Sequence, residues 1–191
     1  MEGLRERVLR LLRIAGVRPS KRLGQHFLVD PRGPRVFLKG FSGGLGEALE
    51  IGPGPGSLTF PASRVIPRIL AVEVDPRLAE VLSSEAPPGV AVVRGDGIKH
   101  LESWRGPLVY SNTPFSLSGE IVEAVARNNN VEAAVLGVQR EVARRIVAMP
   151  GTEDYGRLSV TAQLVFRVES LGVIPPHWYI PRPEVYTRLS G

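Results

Sequence analysis

The sequence predicts an α/β protein with a doubly wound, mostly parallel sheet and helices on both faces. Three observations carry this. Apolar runs of strand length alternate with amphipathic segments of helix length between residues 48 and 148. The first run breaks directly into Gly52-Pro53-Gly54-Pro55-Gly56, a turn whose glycines allow positive φ and a close backbone approach to a ligand. Carboxylates follow three successive runs at Glu50, Glu73 and Asp96, spaced 23 residues apart, about one βα unit each. Three acids in register would line one edge of a parallel sheet, where nucleoside cofactors bind in open α/β folds.

The elements follow in order. Leu4, Val8, Leu11, Leu12 and Ala15 recur at helical spacing, with Gly16 as a stop. Residues 17–24 read as a basic loop, and Asp30-Pro31 as a helix start running toward Gly40. Strand 48–51 leads through the glycine loop to a helix over 58–65. Strand 69–74 leads to helix 76–85, and strand 90–94 to an irregular stretch holding Asp96-Gly97. Strand 108–110 leads to a special loop and helix 119–128, and strand 133–138 to helix 141–148. After Gly151 a helix is expected over 157–166, then a final strand pair over 168–174 and 184–189 at one sheet edge. Residues 1–40 are read as a basic N-terminal helical segment with a cofactor-covering loop and 41–191 as the catalytic domain, together one compact domain.

At 191 residues and 43% hydrophobic content the chain is long and apolar enough to bury a core. No apolar run reaches the length of a membrane span, and no signal-peptide core is present, so a cytoplasmic, membrane-free, monomeric protein is expected. Without cysteine and with three scattered histidines, no metal site or thiol chemistry is expected. The net charge of +5 is uneven: residues 1–40 carry ten basic and three acidic side chains. Such a segment suits a polyanion, most simply a nucleic acid. Seventeen prolines and the absence of cysteine are consistent with a thermophile.

The glycine loop has G-x-G-x-G spacing rather than the dinucleotide G-x-G-x-x-G. Glu50 beside it suits a cationic ligand better than a pyrophosphate, which favours S-adenosylmethionine, with its sulfonium and ammonium groups. Glu73 would accept from both ribose hydroxyls, Asp96 from the adenine amine, and Val74 would pack on the ring. A nicotinamide oxidoreductase fits neither the glycine spacing nor any proton donor beside a substrate pocket.

A second constellation, Ser111-Asn112-Thr113-Pro114-Phe115, follows the fourth strand. The Asn112 side-chain carbonyl and the Thr113 backbone carbonyl would accept the two hydrogens of an exocyclic amine, with Phe115 stacked on the base. Two acceptors aimed at an sp² amine free its lone pair for attack on a methyl group, so positioning and electrostatics carry the step. The base must leave its stack to reach such a pocket.

Six segments together resemble the KsgA-type ribosomal RNA adenine dimethyltransferases: Lys21-Arg22-Leu23-Gly24-Gln25-His26-Phe27-Leu28-Val29-Asp30, the Glu50–Gly56 loop, Asn112–Phe115, Gln139-Arg140-Glu141-Val142-Ala143, Tyr155-Gly156-Arg157-Leu158-Ser159-Val160 and Pro181-Arg182-Pro183-Glu184-Val185. The resemblance runs from about residue 18 to the end. It implies a Rossmann-like class I methyltransferase with a seven-stranded sheet. The implied activity is two successive methyl transfers to N6 of adenines in small-subunit rRNA. It also implies that Gln25, His26, Leu28, Glu50, Gly52, Gly54, Gly56, Glu73, Val74, Asp96, Gly97 and Asn112 approach the cofactor, and that Asn112, Thr113, Pro114 and Phe115 frame the adenine.

Tyr179 would be a second aromatic wall, and Arg18, Lys21, Arg22, Arg140 and Arg144 would meet RNA phosphates. His26 stands where bacterial members carry Asn, which points to an archaeal-like member. Thr113 replaces a usual Leu, Ser111 a usual Gly that would leave a wider approach, and Glu184 a usual basic residue. The small helical C-terminal domain of the family is not part of the sequence, which is expected to affect RNA grip and not the cofactor site. A related large-subunit rRNA methyltransferase and a non-catalytic ribosome-assembly factor are the alternatives.

Overall fold

The structure is a computed structural model describing residues 2–20, 25–41, 46–183 and 187–190. Among the described residues the larger sheet holds β2 (Glu47–Ile51), β3 (Arg68–Glu73), β4 (Val90–Arg94), β5 (Leu108–Asn112), β6 (Ala133–Gln139), β7 (Ser170–Ile174) and β9 (Thr187–Ser190). Its seven strands lie in the order β4-β3-β2-β5-β6-β9-β7. The first five in that order are parallel. β9 is antiparallel to both β6 and β7, so the expected closing pair lies at one edge. A two-stranded sheet pairs β1 (Phe27–Leu28) with β8 (Tyr179–Ile180). Two-residue strands carry no readable period, and neither was anticipated.

The chain builds β2, β3 and β4 outward in one direction, then crosses back to lay β5 and β6 on the other side of β2. The crossover leaves a crevice beyond the carboxyl ends of β2 and β5, because the connections there diverge to opposite sides. Glu50 and Asn112 stand at those two ends, and the strands are in register with Glu50 opposite Tyr110.

Alternation along β2 separates two cores. Leu49 and Ile51 face one side with Val109, Leu101 of α5 (Gly97–Ser103), Ile121 and Val125 of α6 (Ser118–Arg127), Ile146 of α7 (Arg140–Ile146) and Leu158 of α8 (Arg157–Val165). Ala48 faces the other side with Leu108, Tyr110, Phe37 of α2 (Arg32–Leu38) and Ala62 of α3 (Thr59–Ala62). Strands covered on both faces read as near-continuous apolar runs, as β3 does over residues 69–72; the glutamate within β2 is the exception.

A third cluster joins Val8 and Leu12 of α1 (Leu4–Ile14) to Val29 and to Leu78 of α4 (Pro76–Glu85). An Arg10–Glu85 ion pair reinforces it.

Two expectations are corrected. The stretch after Asp96 is the helix α5, not irregular. Asp96 caps it, its Oδ1 accepting from the amides of Ile98 at 2.9 Å and Lys99 at 3.4 Å. The helix after the glycine loop is only Thr59–Ala62, shorter than the 58–65 expected. Pro67 disfavours helical backbone at Ile66, and the chain turns away through residues 63–65. No helix among the described residues is long and apolar enough to cross a membrane.

Candidate active site

A cleft of about 650 Å³ opens at the crossover. Its lining brings together Gln25, His26, Glu50, Gly52, Gly54, Glu73, Val74, Asn112, Thr113, Pro114, Phe115 and Tyr179, twelve of the residues singled out from sequence. The glycine loop forms its floor, with φ of +66° at Gly52 and +57° at Gly54. A Cβ built on Gly52 would meet nothing within 4 Å, whereas one on Gly54 would lie 2.7 Å from the Phe27 ring. The loop therefore offers bare backbone at Gly52 and is packed from behind at Gly54.

Glu73, at the end of β3, is 5% exposed. Its Oε2 accepts from the Gly54 amide at 2.8 Å and its Oε1 from the Asp75 amide at 2.9 Å. Burial raises its carboxyl above the ordinary range, and these amides oppose the shift. A carboxylate oxygen accepts more than one hydrogen bond, so the same group can brace the loop and receive a ligand hydroxyl.

Glu50, at the end of β2, is 2% exposed. Thr59 Oγ1 donates to its Oε2 at 2.7 Å and the Tyr110 hydroxyl at 2.9 Å, both to the same oxygen. Burial pushes the carboxyl up to about 7, against the pull of the two hydroxyls, and the Glu73 charge adds to the rise. Burial and the neighbouring Glu50 charge hold the Tyr110 phenol well above its usual range, so it stays a proton donor. Sequence reasoning missed both partners. Nothing local marks a threonine nine residues on, or a tyrosine one strand away, as facing an acid.

Asn112 ends β5, and the Thr113 amide extends the ladder by donating to Gly137 O at 3.0 Å before Pro114 stops it. The Asn112 Nδ2 donates to the backbone oxygen of His26 at 3.1 Å, and its Oδ1 accepts from the Tyr179 hydroxyl at 3.2 Å. The His26 ring stacks on Phe115, with centroids 4.9 Å apart and planes 28° apart. Its Nδ1 donates to Pro181 O at 2.8 Å. The amide–aromatic corner at Asn112 and Phe115 and the acid-lined corner at Glu50 and Glu73 share one cleft.

Several expected residues lie elsewhere. Leu28 is wholly buried in the core, and its backbone oxygen accepts from Ser57 Oγ at 2.8 Å. A Cβ on Gly56 would meet Phe60 at 2.6 Å and Leu82 at 2.7 Å, and one on Gly97 would meet Ile51 at 2.5 Å. These two glycines serve packing. Asp96 is an exposed helix cap. Asp96, Gly97, Gly56 and Leu28 are not among the cleft-lining residues. Ser111 does not narrow the approach, because it is buried and donates to Ile51 O at 2.8 Å. Tyr179 is 2% exposed, so it presents little open ring face as a wall for a base.

The basic N-terminal segment is partly spent within the fold. Arg7 lies over the Phe60 ring, Arg10 pairs with Glu2 and Glu85, and Arg32 pairs with Asp30 while lying over Trp178. Arg18 and Arg140 are exposed, and Arg144 is exposed but paired with Asp154 at 2.8 Å. Lys21 and Arg22 lie outside the described residues, as does Glu184. Among the described residues no His, Asp or Glu cluster has the form of a metal site.

The sequence profile of the family described as ribosomal RNA adenine dimethylase matches residues 18–189. The chain belongs to the ribosomal RNA adenine dimethylase family. It is 58% identical over 184 residues to the probable ribosomal RNA small subunit methyltransferase A of Aeropyrum pernix, covering 94% of this chain and 66% of that protein. The chain thus spans just under two thirds of that relative.

A crystal structure of a 23S rRNA methyltransferase, ErmE, superposes with a TM-score of 0.70 at 26% identity, over 86% of this chain and 68% of that one. A dimethyladenosine transferase from Plasmodium falciparum shares the fold, with a TM-score of 0.77 at 22% identity over 86% of this chain and 62% of that one. Membership in the dimethylase family agrees with the Rossmann-like methyltransferase architecture and with the six motifs that carried the resemblance.

Proposed function

We propose that this protein transfers methyl groups from S-adenosylmethionine to N6 of adenines in small-subunit rRNA, twice per adenine, on immature small ribosomal subunits. The observation that carries the reading is the single cleft in which Glu50, Glu73 and the bare backbone at Gly52 meet Asn112 and Phe115. The donor set fits a cationic nucleoside. Two buried carboxylates suit a sulfonium and ribose hydroxyls, and the open space above Gly52 admits a ligand against the main chain. When bound, the cofactor supplies an electrophilic methyl group.

The protein's own residues do the rest. Glu73 binds ribose and braces the loop through the Gly54 amide. Glu50 supplies negative charge at the floor. Asn112 Oδ1 and the Thr113 carbonyl accept the amine hydrogens, turning the nitrogen lone pair toward the reaction. Phe115 stacks on the base. Gln25, His26 and Phe27 act as a cover, closing the rim of the cleft. Arg18 and Arg140, together with Lys21 and Arg22, are assigned to phosphate contact. The 58% and 41% identities to proteins named probable ribosomal RNA small subunit methyltransferase A favour the small subunit as target.

Replacing Glu73 by alanine is expected to weaken cofactor binding by about 1–3 kcal/mol, the worth of charge-assisted hydrogen bonds lost on one side. Calorimetry on the folded variant checks this, and an unchanged affinity would remove Glu73 from the cofactor site. The reading as a whole is tested by incubating labelled S-adenosylmethionine with immature small subunits and analysing the nucleosides. Dimethyladenosine in small-subunit rRNA is expected. Cofactor binding without transfer would replace the enzyme by a non-catalytic assembly factor, and product confined to large-subunit rRNA would move the target.

A further inference from the structure

Asn112 is held from both ends by one small device. Its Nδ2 donates to His26 O at 3.1 Å and its Oδ1 accepts from the Tyr179 hydroxyl at 3.2 Å. The two partners arrive together. His26 immediately precedes β1 and Tyr179 opens β8, and these strands pair, with Leu28 opposite Tyr179 and Phe27 opposite Ile180. The outer strand pair therefore couples the rim of the cleft to the one side chain that must face an amine.

A terminal amide torsion is soft and nearly two-fold, so its sense is set by hydrogen bonding. A flipped Asn112 would put its oxygen against the His26 carbonyl oxygen, two acceptors face to face. The Tyr179 hydroxyl adds a donor at the other end and occupies one of two acceptor positions on Oδ1. The ring that carries it is 2% exposed, which keeps the hydroxyl from swinging to solvent. Burial also leaves Tyr179 little face to stack on a base.

We propose that Tyr179 is a positioning residue acting through its hydroxyl, which locks the Asn112 carboxamide with Oδ1 aimed into the cleft. The proposal rests on the adenine-methylation reading for its kinetic consequence, but the locking itself does not.

The variant is Tyr179→Phe, which keeps the ring and its packing, with Tyr179→Leu as its companion. In methyl transfer to immature small subunits, Tyr179→Phe is expected to lower kcat about tenfold, the scale of one net hydrogen bond. KM for the subunit and Kd for S-adenosylmethionine should stay within about twofold. Tyr179→Leu should fall at least as far. If Tyr179 acts by stacking, Tyr179→Phe will match the wild type while Tyr179→Leu loses activity, and the proposal fails. A matching rise in cofactor Kd would mean a structural role and would also overturn it.

A second readout does not need turnover. The side-chain NH₂ signals of Asn112 in nitrogen-15 NMR, assigned by their loss in Asn112→Ala, should shift or broaden in Tyr179→Phe. Unmoved signals sink the locking even if the enzyme is active. Moved signals in a protein with no transfer activity would keep the locking and reject the methylation reading.

Discussion

Replacing Asn112 by alanine is expected to lower methyl transfer by roughly 10²–10³-fold, the usual cost of deleting one preorganised polar group at the reacting centre. Cofactor affinity should change by less than about threefold. The split follows from the layout of the cleft. The acids are on β2 and β3, and Asn112 is on β5, so its loss leaves Glu50, Glu73 and the glycine loop in place. Asn112 also anchors the His26 backbone, and that lost contact accounts for the small affinity change allowed. Single-turnover rates on immature subunits, with calorimetry of cofactor binding, separate the two effects. A wild-type rate would end the amine-positioning role. An equal loss of rate and affinity would make Asn112 a cofactor ligand first.

Glu50→Gln is expected to stabilise the cofactor-free protein above neutral pH and to weaken cofactor binding there. The Glu50 carboxyl is raised from an ordinary 4.5 to about 7, so the folded state holds its proton more tightly than the unfolded chain. Stability is then fullest below about pH 4.5 and falls as pH rises toward 7, because ionisation in the unfolded chain comes first. The span amounts to up to about 3 kcal/mol at 1.36 kcal/mol per pKa unit.

A neutral glutamine removes that dependence. Its Tm should exceed that of the wild type at pH 8 and match it near pH 4.5. A bound sulfonium or ammonium reverses the preference by favouring the carboxylate, so wild-type affinity should improve as pH rises through 7, with release of up to one proton. Calorimetry in buffers of differing ionisation enthalpy measures that proton. Affinity flat between pH 6 and 8 in the wild type would show that Glu50 does not meet the cofactor's charge.

The two constellations tested by these variants are readable in the sequence, for different reasons. The glycine loop is legible because positive φ at Gly52 and Gly54 is a backbone demand that one residue type meets cheaply. Asn112-Thr113-Pro114-Phe115 is legible because proline ends a strand and leaves the preceding residues at a sheet edge. Asp96 is less legible for an equally physical reason. An acid after a strand can cap a helix as well as meet a ligand, and the cap forms here because Ile98 and Leu101 find a core to pack on. Motif position alone does not reveal that the Leu28 side chain is buried in the core or that a Cβ on Gly56 would meet Phe60 and Leu82.

Local sequence determined the alternation of strands and helices, the bare turn at Gly52 and the edge on which Glu50, Glu73 and Asn112 stand, because periodicity, turn chemistry and strand ends are properties of neighbouring residues. Tertiary structure alone decided what those groups touch. The Thr59 and Tyr110 hydroxyls on Glu50, the Gly54 amide on Glu73, and the grip of His26 and Tyr179 on Asn112 join residues 9 to 86 positions apart. Such contacts arise from the parallel pairing of β2 with β3 and with β5 and from the β1–β8 pair, and they leave no mark in the spacing of either partner. The charge state of Glu50 belongs to the same class. A carboxyl is raised by the water it loses on burial, and that loss exists only once both faces of the sheet are covered.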